Sequence, residues 1–477
     1  MTIATLAQLS HWIPGARVFG DPATTVERVH TDSRTVAAGD LFVALKGERF
    51  DADAFLADAR SRGAVAAITH AGRLQSLGLP GLEVPDTLVA LGQLAAGWRA
   101  QFDLPLIAVT GSNGKTTVTQ MIAAILVAAC TDKALATAGN FNNEIGVPLT
   151  LLRLRARHRR AVVELGMNHP GEIARLAAMT RPTIALVNNA QREHQEFMVS
   201  VEAVACENGA VLEALPDHGT AVFPHGDAFT VLWKTMADAR GARRCLSFGE
   251  STQADISLAG AVWQGGGWQI DVRTPLGSFQ ANLCIAGRHN VLNALAAAAC
   301  ALAAGVSLQH IAEGLSGFEP VKGRSKATEL QLAHGRSLTL VDDTYNANPD
   351  SVRAAIDVLA GLPGPRLLVL GDMGEVGDSG PSFHAEVGVY ARERGIESLY
   401  ALGEEALHSV TAFGGVGTGR HFGDIDALGV AVRDRLPDVR SMLVKGSRFM
   451  KMERVVQSVI ALAKAEIQEQ GEAGHAA

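Results

Sequence analysis

The sequence has no closely paired cysteines, no leader-like amino terminus and no long apolar run, and each absence excludes a class of protein. Its five cysteines are an odd number without CxxC spacing, which argues against a zinc site or a disulfide framework and predicts reduced core residues of a cytosolic protein. The amino terminus lacks the basic and apolar regions of a secretion signal. The most apolar window, residues 291–306, includes Asn293 and is too short to span a membrane, so it predicts a buried helix. We therefore expect a cytoplasmic protein with no integral membrane segment.

An excess of positive charge is also missing. The formal net charge is −7, which leaves no basic surface for nucleic acid, so we expect no nucleic-acid partner. The sequence contains neither an internal repeat nor a low-complexity tract. What the chain does have is length, because 477 residues are too many for one hydrophobic core and predict two to four domains.

Strand and helix patterns alternate along the chain and predict an α/β protein of three domains. Residues 1–103 form a small α/β unit, and residues 104–318 have the strand-then-helix rhythm of a parallel sheet covered on both faces. Residues 319–477 repeat this rhythm and resemble a Rossmann-type domain. That domain has GxxGxxG at residues 371–377 instead of GxGxxG, so the pattern supports dinucleotide binding only weakly.

A glycine-bearing loop between a buried strand and a helix predicts a site for nucleotide phosphates. The apolar run 106–109 precedes the loop, and the apolar segment 118–129 follows it. Two loop glycines let backbone N–H groups turn inward, a lysine brings positive charge to the outer phosphates, and a threonine hydroxyl can bind magnesium. The strict motif would require a further glycine at Val109, but the setting favours ATP or GTP. The loop residues are Gly111, Ser112, Asn113, Gly114, Lys115, Thr116 and Thr117.

Two polar side chains follow later strands of the same predicted sheet. Glu164 ends the run 161–164, and His194 lies shortly after the run 183–187. In an open parallel sheet ligands bind at the carboxyl ends of the strands, so both residues could converge with Lys115 on a metal-nucleotide site. A glutamate at a strand end more often caps a turn or pairs with arginine, and a histidine in a polar loop is more often simply exposed. Their order after the phosphate loop favours the magnesium interpretation, more strongly for Glu164.

Several longer motifs resemble the Mur ligases and the related folylpolyglutamate synthases, over nearly the whole chain. Two of them, TAGNFNNEIGVP at 137–148 and DDTYNANP at 342–349, resemble the branch that acts on D-alanyl-D-alanine. The segments TDSR at 31–34 and GDLFVALKG at 39–47 resemble the uridine-nucleotide-binding domain of that branch. The other motifs are the loop 110–117, GRHNVLNA at 287–294, and the pair Gly323-Arg324 with Asp343.

This resemblance implies an ATP-dependent amide ligase. ATP would phosphorylate the carboxylate of UDP-N-acetylmuramoyl-tripeptide, and the amine of D-alanyl-D-alanine would attack the acyl phosphate through a tetrahedral intermediate. ATP and Mg²⁺ are the implied cofactors, the two substrates are the implied partners, and a monomer is the implied assembly. The three domains would bind the uridine nucleotide, bind ATP, and close over the ATP site, in chain order.

The resemblance also assigns roles to individual residues. Lys115 and the loop amides would hold the β and γ phosphates, Thr116 and Glu164 would place one magnesium ion, and His194 would serve a second. Further ATP contacts are expected at Asn290, Asn293, Arg324, Asp343 and Asn346. Substrate contacts are expected at Thr31, Ser33, Arg34, Asn140, Asn142 and Asn143. From charge and placement alone, Lys445 and Arg448 are candidates to bind the terminal carboxylate of the incoming dipeptide.

Two segments depart from the family pattern. After the histidine loop the family commonly has an A-K-G-E-I run whose lysine is carbamoylated and supplies a carboxylate near the second metal, whereas residues 206–210 read CENGA. Asn208 cannot be carbamoylated, so the second ion is either held differently, for example by Glu207 or water, or bound more weakly. We therefore expect activity that does not respond to added bicarbonate. The segment 51–53 reads DAD where the family tends to have DGH, so the resemblance does not carry over a histidine contact there.

Two alternatives stay open at the level of sequence. One is a ligase of the same superfamily with another substrate, such as one that adds glutamate to folate, although the first domain and the NFNNEIG run argue against it. The other is a nucleotide-binding homologue that has lost catalysis. The change at Asn208 keeps the second alternative open, whereas the presence of Lys115, Glu164 and His194 argues for turnover.

Overall fold

The computed structural model describes residues 2–47, 50–239, 243–264, 266–332, 335–414 and 418–475, with side chains up to residue 468. Within these residues the chain forms three successive α/β units, each built around its own main sheet. Each main sheet lies wholly inside one of the three segments expected from the sequence, so the prediction of three α/β domains is confirmed. The exact boundary residues, 103/104 and 318/319, stay predictions.

The first unit is a five-stranded sheet in the order β2-β7-β6-β5-β4, with a separate antiparallel pair of β1 and β3. Only β2 runs antiparallel to its neighbour. Its last helix, α4, begins at an N-cap aspartate, Asp86, whose carboxylate accepts two backbone N–H groups. The strands are β1 (Ala4–Thr5), β2 (Arg17–Phe19), β3 (Thr25–Val26), β4 (Arg28–His30), β5 (Asp40–Val43), β6 (Ala66–Thr69) and β7 (Gly81–Glu83); the helices are α1 (Leu6–Trp12), α2 (Leu56–Ser61), α3 (Leu74–Leu77) and α4 (Thr87–Arg99).

The central unit is a nine-stranded sheet in the order β16-β15-β14-β13-β12-β11-β8-β10-β9. Strands β8 to β14 are mutually parallel as expected, but β14, β15 and β16 form an antiparallel meander that extends one edge and was not predicted. The strands are β8 (Leu106–Thr110), β9 (Ala134–Ala136), β10 (Arg160–Glu164), β11 (Ile184–Val187), β12 (Thr220–Pro224), β13 (Arg244–Gly249), β14 (Ile256–Gln264), β15 (Gly267–Thr274) and β16 (Gly277–Leu283); the helices are α5 (Lys115–Cys130), α6 (Gly146–Leu151), α7 (Glu172–Thr180), α8 (Val201–Glu213), α9 (Thr230–Asp238), α10 (Arg288–Ala303) and α11 (Leu308–Ser316).

The carboxy-terminal unit is a six-stranded sheet in the order β17-β18-β22-β19-β20-β21, in which only β17 is antiparallel. Helices cover both of its faces and bury two apolar clusters. The strands are β17 (Lys326–Leu332), β18 (Arg336–Asp343), β19 (Arg366–Gly371), β20 (Ser398–Leu402), β21 (Gly419–Phe422) and β22 (Ser441–Lys445); the helices are α12 (Pro349–Ala360), α13 (Gly380–Glu393), α14 (Ala406–Phe413), α15 (Ile425–Arg435) and α16 (Glu453–His475).

The central strand β8 explains why an unbroken apolar run precedes the phosphate loop. Ile107 and Val109 pack in a cluster with α5 and α10, whereas Leu106 and Ala108 pack in the opposite cluster with α4, α7 and α8. Successive side chains of a strand point to opposite faces, so a sheet covered on both sides requires apolar residues at every position. The loop that follows is therefore anchored by a strand buried on both faces.

The apolar window at 291–306 forms most of α10, whose alanines pack beneath the central sheet, as predicted. Among the described helices, none has both the length and the apolarity to cross a membrane. The five cysteines are free, as expected, but the prediction that they are core residues is wrong for two of them: Cys206 and Cys284 are exposed, and only Cys300 is fully buried. An apolar sequence neighbourhood does not reveal which face of an element a residue occupies.

Candidate active site

A cavity of about 1810 Å³ lies at the carboxyl edge of the central sheet, and residues from the carboxy-terminal unit and from α4 complete its wall. It brings together most of the residues selected from the sequence. Those lining it are Ser112, Asn113, Gly114, Lys115, Thr116, Thr117, Asn140, Asn142, Asn143, Glu164, His194, Asn290, Asn293, Arg324, Asp343, Asn346, Lys445 and Arg448.

Three predicted substrate residues of the first unit do not line this cavity. Thr31, Ser33 and Arg34 lie in the turn after β4. Ser33 is buried, and the exposed guanidinium of Arg34 pairs with Asp32, with 2.7 Å between Nη2 and Oδ2. Their expected contact with a uridine nucleotide stays a prediction.

Hydrogen bonds to side chains of neighbouring segments fix the backbone conformation of the phosphate loop. The Gly111 N–H donates to Asn208 Oδ1 at 2.9 Å, and the Asn113 N–H donates to Asn189 Oδ1 at 2.9 Å. Gly114 takes φ +80° as the N-cap of α5, a backbone conformation that favours glycine. Helix α5 therefore starts at the cavity, where its amino-terminal N–H groups and dipole favour a phosphate.

Lys115 is the first residue of α5, and its ammonium lies against the loop. Nζ donates to the carbonyl oxygens of Gly111 and, at 3.1 Å, of Ser112. It also lies 3.2 Å from Oε2 of the buried Glu193. Each of these contacts is polar and none requires apolar packing, so the lysine can exchange them for phosphate oxygens.

Thr116 and Glu164 meet at the other side of the loop, because β10, which ends in Glu164, is a direct neighbour of β8. Glu164 Oε1 accepts a hydrogen bond from Thr116 Oγ1 at 3.2 Å and one from Asn142 Nδ2 at 2.7 Å. Oε2 of Glu164 is buried and has no hydrogen-bond partner among the described residues. A buried carboxylate oxygen without a partner is unfavourable, and a cation would satisfy it, so this donor set fits magnesium.

His194 lies in the loop after β11 with φ +49°, a left-handed conformation uncommon outside glycine. Its Nδ1 is 2.6 Å from Oε2 of Glu375, which belongs to the carboxy-terminal unit. This close contact with His194 holds the pKa of Glu375 below its usual value. A carboxylate on one ring nitrogen fixes the orientation of the ring and leaves the other nitrogen for a metal. Glu375 was missed from the sequence, where its only signal was its position in the glycine-rich segment after β19.

Asn290 and Asn293 are buried at the start of α10 and are part of a chain of amide hydrogen bonds. Asn293 Nδ2 donates to Asn290 Oδ1 at 2.8 Å, and Asn293 Oδ1 accepts from Asn188 Nδ2 at 2.9 Å. Asn188 also donates to the carbonyl of Asn113 in the phosphate loop at 2.9 Å. The two residues thus position the loop, and their expected approach to adenine stays a prediction.

The carboxy-terminal unit reaches the loop through Arg324. Its Nη2 donates to Thr116 Oγ1 at 3.3 Å, and its guanidinium stacks 3.8 Å from the ring centroid of Tyr345. Asn113 and Asn348 exchange further side-chain hydrogen bonds between the two units. The nucleotide loop and the carboxy-terminal unit therefore form one continuous site.

Lys445 lines the cavity but already has an ion-pair partner, so its predicted contact with the dipeptide carboxylate stays a prediction. It is buried, and its Nζ lies 2.6 Å from Asp343 Oδ2 and donates to the carbonyl of Asn346 at 2.8 Å. Burial alone would raise the pKa of Asp343, but the adjacent Lys445 ammonium lowers it overall. The Lys445 charge is thus compensated inside the protein, and of the two rim candidates only Arg448 is exposed.

The asparagines of the NFNNEIG run divide into separate tasks. Asn140 is exposed at the cavity wall, where a substrate contact stays a prediction. Asn142 orients the carboxylate of Glu164, a task that the sequence did not indicate. Asn143 Oδ1 accepts the N–H groups of Ile145 and Gly146 and so caps the start of α6.

The segment at Asn208 contains a carboxylate that caps a helix. The carboxylate of Glu207 accepts the N–H groups of Gly171 and Ile173, both at 2.8 Å, and so caps α7. Both oxygens of Glu207 are thus already used as acceptors, and its suggested help in holding a second metal stays a prediction. In the first unit a histidine does stand near the DAD segment, since His70 Nδ1 lies 3.2 Å from Asp53 Oδ2.

Comparison with known proteins covers almost the whole chain. The model of the Mur ligase middle domain matches residues 109–301, that of the Mur ligase glutamate ligase domain matches 329–448, and that of the Mur ligase family catalytic domain matches 25–99. UDP-N-acetylmuramoyl-tripeptide--D-alanyl-D-alanine ligase of Escherichia coli (strain K12) is 40% identical over 96% of this chain and 99% of its own. The enzyme of that name from Haemophilus influenzae is 37% identical over 93% of this chain and 96% of its own.

Solved structures agree with the sequence relatives. A crystal structure of MurF from Acinetobacter baumannii superimposes with a TM-score of 0.86 at 35% identity and covers 96% of this chain and 98% of its own. MurF ligase from Thermotoga maritima in complex with ADP superimposes with a TM-score of 0.79 at 25% identity, over 92% and 98% of the two chains.

Proposed function

The chain belongs to the Mur ligase family, and from this premise we propose that it joins D-alanyl-D-alanine to UDP-N-acetylmuramoyl-tripeptide in an ATP-dependent reaction that yields ADP and phosphate. The observation that carries the proposal is the likeness, over 96% of the chain, to a ligase named for these two substrates. The site supports it independently, because a phosphate loop, a buried carboxylate and a histidine line one cavity.

The reaction needs an activated carboxyl group, since a carboxylate is a poor electrophile. ATP supplies the activation by transferring its γ-phosphoryl group to the tripeptide carboxylate, and the dipeptide amine then displaces phosphate. Such a transfer depends on charge neutralisation and in-line positioning more than on covalent help from the protein. Lys115 and the N–H groups at the start of α5 would bind the outer phosphates.

Magnesium is part of the proposal, because Thr116 Oγ1 and the unpartnered Oε2 of Glu164 suit it chemically. When bound, the ion neutralises charge on the transferred phosphoryl group. Asn142 holds the carboxylate in place from the other side, at 2.7 Å. Arg324 adds a positive charge from the carboxy-terminal unit, so closure of that unit would complete the site.

A phosphate-release assay tests the proposal directly. Purified protein is mixed with ATP and Mg²⁺ and with D-alanyl-D-alanine plus a UDP-N-acetylmuramoyl-tripeptide carrying either a diaminopimelate or a lysine as third residue. Phosphate release that requires both substrates is the expected result. Release only with folate and glutamate would replace the substrate assignment, and tight ATP binding without turnover would favour a non-catalytic homologue. The intact Lys115, Glu164 and His194 constellation and the likeness to D-alanyl-D-alanine ligases weigh against both alternatives.

The proposal also includes a monomer in the cytoplasm. The three domains of one chain supply every residue used above. Sedimentation velocity of the purified protein, with and without ATP, is expected to give a single species near 50.0 kDa. A dimer that persists at nanomolar concentration would contradict the proposed monomer.

A further inference from the structure

Glu193 is a buried carboxylate at the phosphate loop that the roles described so far do not use. Only 4% of the residue is exposed, and it lies in the loop after β11, directly before His194. Its Oε2 is 3.2 Å from Lys115 Nζ, and its Oε1 accepts a long hydrogen bond, 3.4 Å, from Asn208 Nδ2. Charged carboxylates are almost never this buried unless a specific partner or ligand holds them.

Glu193 and His194 present two ligand atoms to the same cavity. Glu193 Oε2 lies 3.8 Å from His194 Nε2, and Glu375 already holds the other ring nitrogen. Two ligand atoms that each lie about 2.1 Å from one octahedral magnesium ion are about 3.0 Å apart when adjacent and about 4.2 Å apart when opposite. The two atoms of this pair, 3.8 Å apart, therefore need to shift by less than about 1 Å to bind one cation together.

The contact between Glu193 and Lys115 is expected to change when a nucleotide binds. The ammonium is expected to move to the outer phosphates, and this removes the nearest positive charge from Glu193. A buried carboxylate without a partner is strongly unfavourable, and a divalent cation beside the phosphates would compensate its negative charge. Binding of a cation at Glu193 should therefore depend on bound nucleotide.

Asn208 connects this carboxylate to the loop. Its Oδ1 accepts the Gly111 N–H at 2.9 Å while its Nδ2 donates to Glu193, and only 1% of the residue is exposed. An asparagine can make both contacts at once because its amide offers one acceptor and one donor group. Asn208 thus makes hydrogen bonds with both ends of its amide, at the position where the family resemblance would put a modified lysine.

We propose that the carboxylate of Glu193, together with His194, binds the second magnesium ion of the reaction, and that Asn208 is the positioning residue that holds this carboxylate against the phosphate loop. The inference rests on the proposed function, since it concerns the ions that accompany ATP. It differs from a modified-lysine site in that every ligand is an unmodified side chain.

Manganese binding in the presence of a non-hydrolysable ATP analogue tests the proposal without turnover. Electron paramagnetic resonance titration of the wild type is expected to show two Mn²⁺ ions per chain with the analogue and fewer without it. Glu193→Gln keeps the shape but removes the charge, so it should weaken the second ion at least ten-fold at saturating analogue. Glu202→Gln, an exposed change in the first turn of α8, is the matched control and should leave both ions unchanged.

The outcomes separate the inference from the proposed function. If the wild type ligates its substrates and Glu193→Gln still binds both ions with unchanged affinity, the role of Glu193 is wrong and the function stands. If the wild type binds two ions but never releases phosphate, the function fails and the ion site survives. Should Glu193→Gln not fold, Glu193→Asp is expected to weaken the second ion to a smaller extent, and wild-type affinity in that variant counts against the proposal.

Asn208 is tested by a double-mutant cycle on the same manganese readout. At saturating analogue, where the separate contact of Asn208 with Gly111 no longer limits nucleotide binding, Asn208→Ala should weaken the second ion several-fold. Adding it to Glu193→Gln should then cause little further loss, because the remaining effect of Asn208 on the ion is exerted through Glu193. Fully additive losses would sink the positioning role. Removal of bicarbonate from wild-type protein should change neither the rate nor the manganese affinity, and a bicarbonate-dependent second ion would show that a carbamoylated lysine supplies the carboxylate instead.

Discussion

At the scale of single residues, Lys115 is a side chain whose proposed task in the reaction is separate from the packing of the fold. About 15% of the side chain is exposed, and each of its contacts is polar, to two loop carbonyls and Glu193. The proposed task of this cation is phosphate binding, which the fold itself does not require. Replacement of Lys115 should therefore abolish ligation while the protein still folds.

Lys115→Ala is expected to abolish ligation, with a loss of at least a thousand-fold in phosphate release, because the outer phosphates lose the ammonium that would bind them. The circular dichroism spectrum should stay that of a folded protein, but the thermal midpoint should fall, because the buried carboxylate of Glu193 loses its ammonium partner. Lys234→Ala, a change on the exposed side of α9, is the control and should keep full activity. Near-normal turnover of Lys115→Ala would remove the assignment of the phosphate site.

Gly114 carries a second prediction at this scale. It has φ +80°, and a Cβ there would lie 2.6 Å from Asn293 Oδ1 and 2.9 Å from Asn188 Nδ2. Gly114→Ala should therefore cost about 1–2 kcal/mol in backbone strain and also displace the amides that hold the loop, so that the KM for ATP rises at least ten-fold. Gly395→Ala has a similar φ, +74°, with nothing within 4 Å. This control should show a similar loss of stability in denaturant titrations and no change in KM for ATP.

At the scale of elements, the segment after β19 depends on a histidine of α13. His384 is fully buried; its Nε2 accepts the Met373 N–H at 3.0 Å, and its other ring nitrogen is 2.8 Å from the Gly380 carbonyl. Burial lowers the pKa of His384 below its usual value. A proton on Nε2 would replace an acceptor with a donor facing the Met373 N–H, so the segment that carries Glu375 should loosen in acid.

This arrangement predicts a pH dependence with a defined sign. A histidine whose folded pKa is lowered contributes stability that is fully present above the unfolded pKa of about 6.5 and is lost as the pH falls through the folded value, at up to about 1.4 kcal/mol per pH unit. Thermal midpoints between pH 7.5 and 5.0 should fall for the wild type. His384→Gln should start lower and fall less steeply, since that site no longer titrates. Equal slopes for the two proteins would contradict the assignment.

At the scale of the whole molecule, Arg192 joins the central unit to the carboxy-terminal unit two residues before His194. Its guanidinium lies 2.5 Å from Asp350 Oδ1 and 2.7 Å from Glu386 Oε2. The hydrogen bonds that Arg192 donates to Glu386 and Asp350 raise its pKa, and the contact with Arg192 lowers the pKa of Glu386. Together with the pair of His194 and Glu375, this bridge connects the loop that carries His194 to the carboxy-terminal unit.

Arg192→Ala should open the interface, because Asp350 loses its guanidinium partner and Glu386 keeps only Arg353, which belongs to its own unit. Charge-assisted hydrogen bonds of this kind contribute about 1.5–3 kcal/mol each, so kcat/KM for ATP should fall by ten-fold or more. Small-angle scattering should show a larger radius of gyration that ATP corrects only in part. Arg454→Ala, which breaks an exposed pair with Asp426 inside the carboxy-terminal unit, is the control. An unchanged radius and unchanged kinetics would show that the bridge does not hold the units together.

Much of this architecture was readable from local sequence. The runs at 106–110, 160–164 and 184–187 are strands because only a sheet covered on both faces needs apolar residues at every position, and the loop after the first of them has the glycines that its backbone requires. Lys115, Thr116 and Glu164 were identified correctly as neighbours of one loop, because parallel strands bring their carboxyl ends to one edge. Their predicted roles in the reaction await the experiments above.

Only the tertiary structure decided what each polar side chain contacts. Lys445 carries a charge suited to a substrate carboxylate, yet packing places it beside Asp343, and Asn142 binds Glu164 across 22 residues of chain. Glu193 and Glu375 had no motif to mark them, since a buried charge is defined by its surroundings. The physical reason is range: helix and strand patterns arise from neighbours along the chain, whereas burial, pairing and metal geometry arise from residues that meet only after the three domains have packed together.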